Sequence, residues 1–169
     1  MLIKEKIGNL TAFADDGRTI DRLPLEWHEC NKRILHKKTG GGREIVLKFL
    51  AEAQCLQQDD VLYADESMLI VVDVLACEAI SIRPETMYAM ALACYEIGNK
   101  HLPLFYEDDT LLIPYDAPTH RLLQVSGLNP EIQKKKLLHQ LRTSVLPHAH
   151  TGNESLFSRI LKLTSPAND

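Results

Sequence analysis

The sequence predicts an α+β chain: an N-terminal small β-barrel or sandwich, then a ferredoxin-like βαββαβ unit, then a mobile C-terminal tail. Three observations predict this. Short apolar runs separated by glycine, asparagine and aspartate turns fill the first 75 residues. One stretch of helical periodicity at residues 84–98 lies between strand patterns, and regular patterning fades after Thr143. The expected divisions are residues 1–75, 76–146 and 147–169. Units of about 70 residues bury little surface alone, so docking or oligomerisation is expected.

Taken in order, residues 2–7 form an apolar-rich run closed by Gly8-Asn9, and Asp15-Asp16-Gly17 makes a polar turn. After Leu23-Pro24-Leu25, residues 27–38 meet Thr39-Gly40-Gly41-Gly42, and residues 43–50 resume an extended pattern, which is a hairpin signature. The glycine run is not followed by Lys-Ser or Lys-Thr and opens no helix, so it reads as a turn and not as a phosphate loop. A second hairpin is expected from residues 61–63 and 68–75 about the turn Asp65-Glu66-Ser67.

The pattern changes near residues 75–77. Ala79, Ile80 and Ile82 mark a strand, and Met87, Met90, Ala91, Cys94 and Ile97 recur at helical spacing. Pro84 suits the first helical position, no side-chain N-cap is evident, and Gly98 suits the left-handed residue that ends a helix. Pro103 then prevents resumption, which leaves His101 on short, stiff backbone at the helix exit. Residues 104–106 and 111–113 form a hairpin about Asp108-Asp109, Asp116 caps a second helix ended by Gly127, and residues 132–138 supply the last strand. A short helix at residues 154–163 is expected within the tail.

Composition narrows the function classes. The 169 residues are 45% hydrophobic with a net charge of −4, which argues against the basic face of a nucleic-acid binder, and Lys134-Lys135-Lys136 reads as a solvated face. RNA-recognition aromatics are missing from the expected sheet. No apolar run approaches membrane-span length and no leader pattern opens the chain, so a cytoplasmic location is expected. Cys30, Cys55, Cys77 and Cys94 are scattered, which predicts reduced, mostly buried thiols, with Cys94 facing the core.

No nucleophile–base signature or dinucleotide fingerprint is present, so the chemistry reduces to seven histidines. His28 and His36 fall in expected strands, His120 on the second helix and His139 near the last strand, each read as exposed or locally hydrogen-bonded. His148 and His150 alternate on flexible backbone and can turn both imidazoles toward one ion. One His101 per chain is insufficient alone, but near a two-fold axis it meets its own copy, and the tail histidines add ligands.

The run Tyr95-Glu96-Ile97-Gly98-Asn99-Lys100-His101-Leu102-Pro103-Leu104 closely resembles the signature of the UreE family of urease accessory proteins. The resemblance extends over nearly the whole chain, through Ile7-Gly8-Asn9, Leu25-Glu26-Trp27, Asn31-Lys32-Arg33, Asp59-Asp60 before Val61-Leu62-Tyr63, and a histidine-bearing C-terminus.

That family implies a nickel metallochaperone of urease maturation and not an enzyme, with a β-rich, peptide-binding-like N-terminal domain and a ferredoxin-like domain that dimerises. His101 falls on the family's nickel-binding histidine at the dimer interface, and His148 and His150 match the C-terminal histidines that supplement it. Ni(II) is then cargo, exchanged with the maturation GTPase UreG and delivered to the urease apoprotein–accessory complex. Zinc and copper are expected to compete at a nitrogen-rich site, so nickel rests on the resemblance. The chain lacks a long histidine-rich tail, and Leu111-Leu112-Ile113-Pro114-Tyr115 lacks the histidine pair that some members carry. A metal-independent protein-binding module of the maturation complex is the alternative.

Overall fold

A computed structural model describes residues 1–13, 17–49 and 55–141. The turn at Asp15-Asp16, the helix expected at residues 154–163, and His148 and His150 lie outside the described residues.

The N-terminal half holds β1 (Leu2–Ile3), β2 (Gly8–Asn9), β3 (Thr19–Leu25), β4 (Ile34–Lys38), β5 (Glu44–Lys48), β6 (Asp60–Ala64) and β7 (Met68–Val74). Both expected hairpins form: β4 pairs β5 and β6 pairs β7, each antiparallel. The other pairings join distant segments, since β1 lies parallel to β5 and β3 parallel to β7. The resulting sheets, ordered β1-β5-β4 and β2-β6-β7-β3, close on one core of Leu23, Leu25, Ile45, Leu47, Ile70 and Val72. Pro24 is tolerated because β3 is an edge strand and its missing N–H breaks no ladder. Residues 27–29 form a 3-10 turn and not the expected strand, because the Glu26 and Glu29 side chains and backbones close a reciprocal capping box there. His28 therefore sits on that turn, edge-on to the Trp27 ring.

The glycine turn is pinned from a distance. The Asp21 carboxylate accepts from Thr39 Oγ1 at 2.7 Å, from the Gly41 N–H at 2.8 Å and from Arg43 Nε at 3.3 Å, which ties the β4–β5 hairpin to the other sheet. A Cβ on Gly41 would meet that carboxylate at 2.9 Å, so any larger residue there would displace the carboxylate from its present position.

The C-terminal half runs β8 (Cys77–Ile82), α1 (Met87–Asn99), β9 (Phe105–Glu107), β10 (Thr110–Pro114), α2 (Ala117–Val125) and β11 (Glu131–Lys135), which is the βαββαβ order expected. Its antiparallel sheet is ordered β11-β8-β10-β9. Ile80, Ile82, Leu111 and Ile113 pack under Ala93 and Ile97 of α1 and Leu123 of α2. The Asp116 carboxylate accepts from the Thr119 N–H at 2.9 Å and caps α2, and Gly127 takes φ 75° after it, both as the sequence predicts.

Trp27 joins the halves, its ring centroid 5.6 Å from that of Phe105 in an edge-on arrangement, and it packs against both cores. The lysine run is not simply a solvated face. Lys135 pairs with Glu107 at 2.7 Å, and Lys136 reaches from the C-terminal half to Asp73 at 2.7 Å, both pairs remaining partly open to solvent. Beyond β11 the chain crosses the sheet face opposite the helices. Leu137 is buried there against Ala79, Leu112 and Phe105, and the Leu141 N–H donates to Leu104 O at 2.8 Å along the far edge.

Candidate metal site

Two departures from the sequence reading shape the backbone that carries His101. α1 starts at Met87 and not at Pro84, because Thr86 is a true N-cap: it is extended, and its side chain accepts from the Ala89 N–H at 3.1 Å. At the other end Gly98 stays helical, and the left-handed residue is His101 itself, at φ 54°. Its N–H donates to Gly98 O at 3.0 Å and that of Lys100 to Ile97 O at 3.1 Å. This is the turn-closing geometry that glycine usually serves, and a residue with a Cβ there costs about 1 kcal/mol. Leu102, packed beside Ile97 against the core, and Pro103 just after it hold the turn against that cost. His101 is thereby exposed on a rigid corner, anchored one turn away by Ile97, which is fully buried.

Two surfaces meet at this corner. Along α1, Tyr88, Ala91, Tyr95 and Gly98 form an exposed stripe without a charge, and Tyr88 and Tyr95 are 77% and 66% exposed. A Cβ built on Gly98 meets nothing within 4 Å, so packing among the described residues does not demand its small size. On the other side of His101 lies a groove of about 740 Å³ between the end of α1, residues 102–104 and the returning residues Gln140 and Leu141. Cys94, half-buried, lines that groove as well as touching the core. Sequence reading places it only in the core.

Among the described residues no three His, Cys, Asp or Glu side chains converge to hold an ion. Of the predicted ligands His101 alone falls among the described residues; His148 and His150 lie outside them. His36 on β4 and His139 after β11 are exposed, as expected of solvated side chains. His120 departs from that reading. It is half-buried on α2 beside the Tyr115 ring, and its Nε2 is buried with no partner among the described residues. All four cysteines are free thiols; Cys30 is buried, and desolvation pushes it up to about 12, well away from a reactive thiolate. The return of Gln140 and Leu141 to β9 is absent from the sequence reading. The spacing of Leu137, Leu138 and Leu141 is the signal for it, an apolar run continuing past the last strand.

Similarity to known proteins covers the chain. The family described as UreE urease accessory protein, N-terminal domain, matches residues 3–75, and its C-terminal domain counterpart matches residues 77–154. The urease accessory protein UreE of Flavobacterium johnsoniae is 41% identical over 163 residues, which is 96% of this chain and 99% of that protein. UreE of Haemophilus influenzae strain PittGG is 40% identical over 147 residues, 85% of this chain and 80% of that protein. UreE of Acetivibrio thermocellus is 31% identical over 151 residues, 89% of this chain and 98% of that protein. With both halves matched and relatives aligned nearly end to end, this chain belongs to the UreE family of urease accessory proteins, which assist urease maturation and are not enzymes.

Proposed function

We propose that this protein is a nickel metallochaperone: a homodimer that binds Ni(II) between two copies of His101, draws on His148 and His150 as further ligands, and donates the ion during urease active-site assembly. The observation that carries the reading is the exposed, rigidly held His101 at the end of an uncharged helix face. A two-fold contact along Tyr88, Ala91, Tyr95 and Gly98 would bring each His101 near its copy, and the bare Gly98 leaves room for close approach.

The ligands are all imidazole, and two of them come from the chain beyond the described residues. Such a set binds an ion yet surrenders it ligand by ligand, whereas a closed thiolate site would trap it. In this reading the partners are UreG and the urease apoprotein–accessory complex, and the place is the cytoplasm. Zinc and copper compete for the same nitrogens in vitro. In this reading residues 1–75 present a partner surface, residues 76–146 hold the metal and dimerise, and residues 147–169 carry the supplementary histidines.

Calorimetric nickel titration with solution mass recorded alongside tests the proposal on the full chain, His101→Ala and a chain ending before His148. The expected result is about one ion per dimer for the full chain, loss of the tight site in His101→Ala, and weaker binding in the shortened chain. Nickel binding by His101→Ala equal to that of the parent overturns the two-fold site.

A further inference from the structure

Most side chains lining the groove beside His101 are apolar. Ile97, Leu102, Leu104 and Leu141 line it together with Cys94 and the polar Gln140, no charged residue among the described ones lines it, and Leu141 is 53% exposed. Surface of this kind gains when an apolar side chain covers it.

The chain brings an occupant to its edge. After Lys136 is tied to Asp73 and Leu137 is buried under the sheet, the backbone pairs with the outer edge of β9: the Tyr106 N–H donates to His139 O at 3.0 Å and the Leu141 N–H to Leu104 O at 2.8 Å. The last described residue is thus part of the groove wall. The next apolar group in the sequence, Val145-Leu146-Pro147, begins four residues later, within about 14 Å of extended chain, and His148 follows it directly.

We infer that Val145, Leu146 and Pro147 of this chain seat in the groove and hold His148 beside His101. The inference rests on the nickel-carrier reading and names how its tail ligands are placed. Burial of Leu146 and Val145 gathers the second histidine before an ion arrives, which raises its effective concentration at His101 without a new metal bond. Proline at the third position limits the freedom the segment loses on seating.

The test compares the full chain, the double variant Val145→Ser/Leu146→Ser and a chain ending at Arg142. Nickel affinity is measured in each, and methyl NMR shifts of Leu102, Leu104 and Leu141 are recorded without metal. The double variant keeps His148 and His150, so histidine content alone predicts no change. The expected result is about tenfold weaker nickel binding, close to the shortened chain, with the three leucine methyls moved alike in both and independently of protein concentration. Parental nickel affinity in the double variant with unmoved methyls overturns the seat while leaving the tail ligands standing. Shifts that grow with protein concentration assign the groove to a second copy and also overturn it. If the chain ending at Arg142 binds nickel as tightly as the full chain, the tail ligands themselves fall, and the seat with them.

Discussion

The two halves of this molecule draw on carboxylates to different extents. In the N-terminal half several of them, buried or exposed, tie short strands and turns together. Asp60 is 2% exposed, and its Oδ2 accepts from Lys6 at 3.0 Å and from the Gln57 N–H at 2.8 Å. Asp65 accepts from the Ser67 and Met68 N–H groups at 2.8 Å each, Glu29 pairs with Lys37 at 2.8 Å, and Asp21 latches the glycine turn. In the C-terminal half Asp116 caps α2, and the site-bearing helix holds a single charged residue, Glu96. The difference follows from backbone satisfaction. Two-residue strands and irregular turns leave many N–H groups for side chains to satisfy, whereas a regular sheet and helix interiors satisfy their own and leave only helix ends to caps such as Thr86 and Asp116. One face of α1 is thereby free to carry the uncharged stripe Tyr88, Ala91, Tyr95 and Gly98 that leads to His101.

The largest effect that sharpens this contrast is Leu25→Ala, in the fully buried core of the N-terminal half. A loss of about 3 kcal/mol is expected by denaturant unfolding. Nickel affinity of the folded protein is expected to be unchanged, and a parallel fall in affinity would show that the halves are not independent in function.

Asp21→Ala comes next. It strands Thr39 Oγ1 and the Gly41 N–H at one latch, and about 2 kcal/mol is expected from the lost bonds. The same carboxylates set the acid limb. Burial pushes Asp21, Glu29 and Asp73 up, but hydrogen bonds and nearby lysine or arginine charge outweigh it and hold all three below the usual range. Hydrogen bonds from Ser67 and Met68 lower Asp65 to about 2. Groups held low stabilise the fold above the ordinary carboxylate value, about pH 4, and lose that contribution as pH falls through the lowered values. Trp27 fluorescence is therefore expected to report loss of the N-terminal core below about pH 4, and a signal flat down to pH 2 would contradict the latch account.

Thr86→Ala is expected to cost about 1 kcal/mol by removing the α1 cap, with hydrogen exchange rising in the first turn and not at His101. The smallest expected effect is Lys136→Ala. The Lys136–Asp73 pair is half-exposed, and a loss below about 1 kcal/mol is expected by thermal unfolding.

Much of the fold was legible because local pattern carries it. Alternation and turn residues mark both hairpins, and the Asp116 cap and Gly127 bound α2 as expected. His101 was legible as the candidate site through its helix-exit position and the Gly-Asn-Lys-His-Leu-Pro run. Its surroundings were not. Gly98 looked like the left-handed residue because glycine is the usual choice there, yet His101 carries the positive φ. The choice is made by where Leu102 must land to pack beside Ile97, and helical periodicity does not record that.

By itself, then, the sequence determined the order of elements, the faces they bury and the histidine at the end of α1, since each is written in neighbours a few residues apart. Only the tertiary structure decided that β1 joins β5 and β3 joins β7 in parallel, that Asp21 latches a turn some twenty residues away, and that residues 139–141 return to the edge of β9. Such choices depend on burial and backbone pairing summed over distant segments, and no local pattern contains that sum.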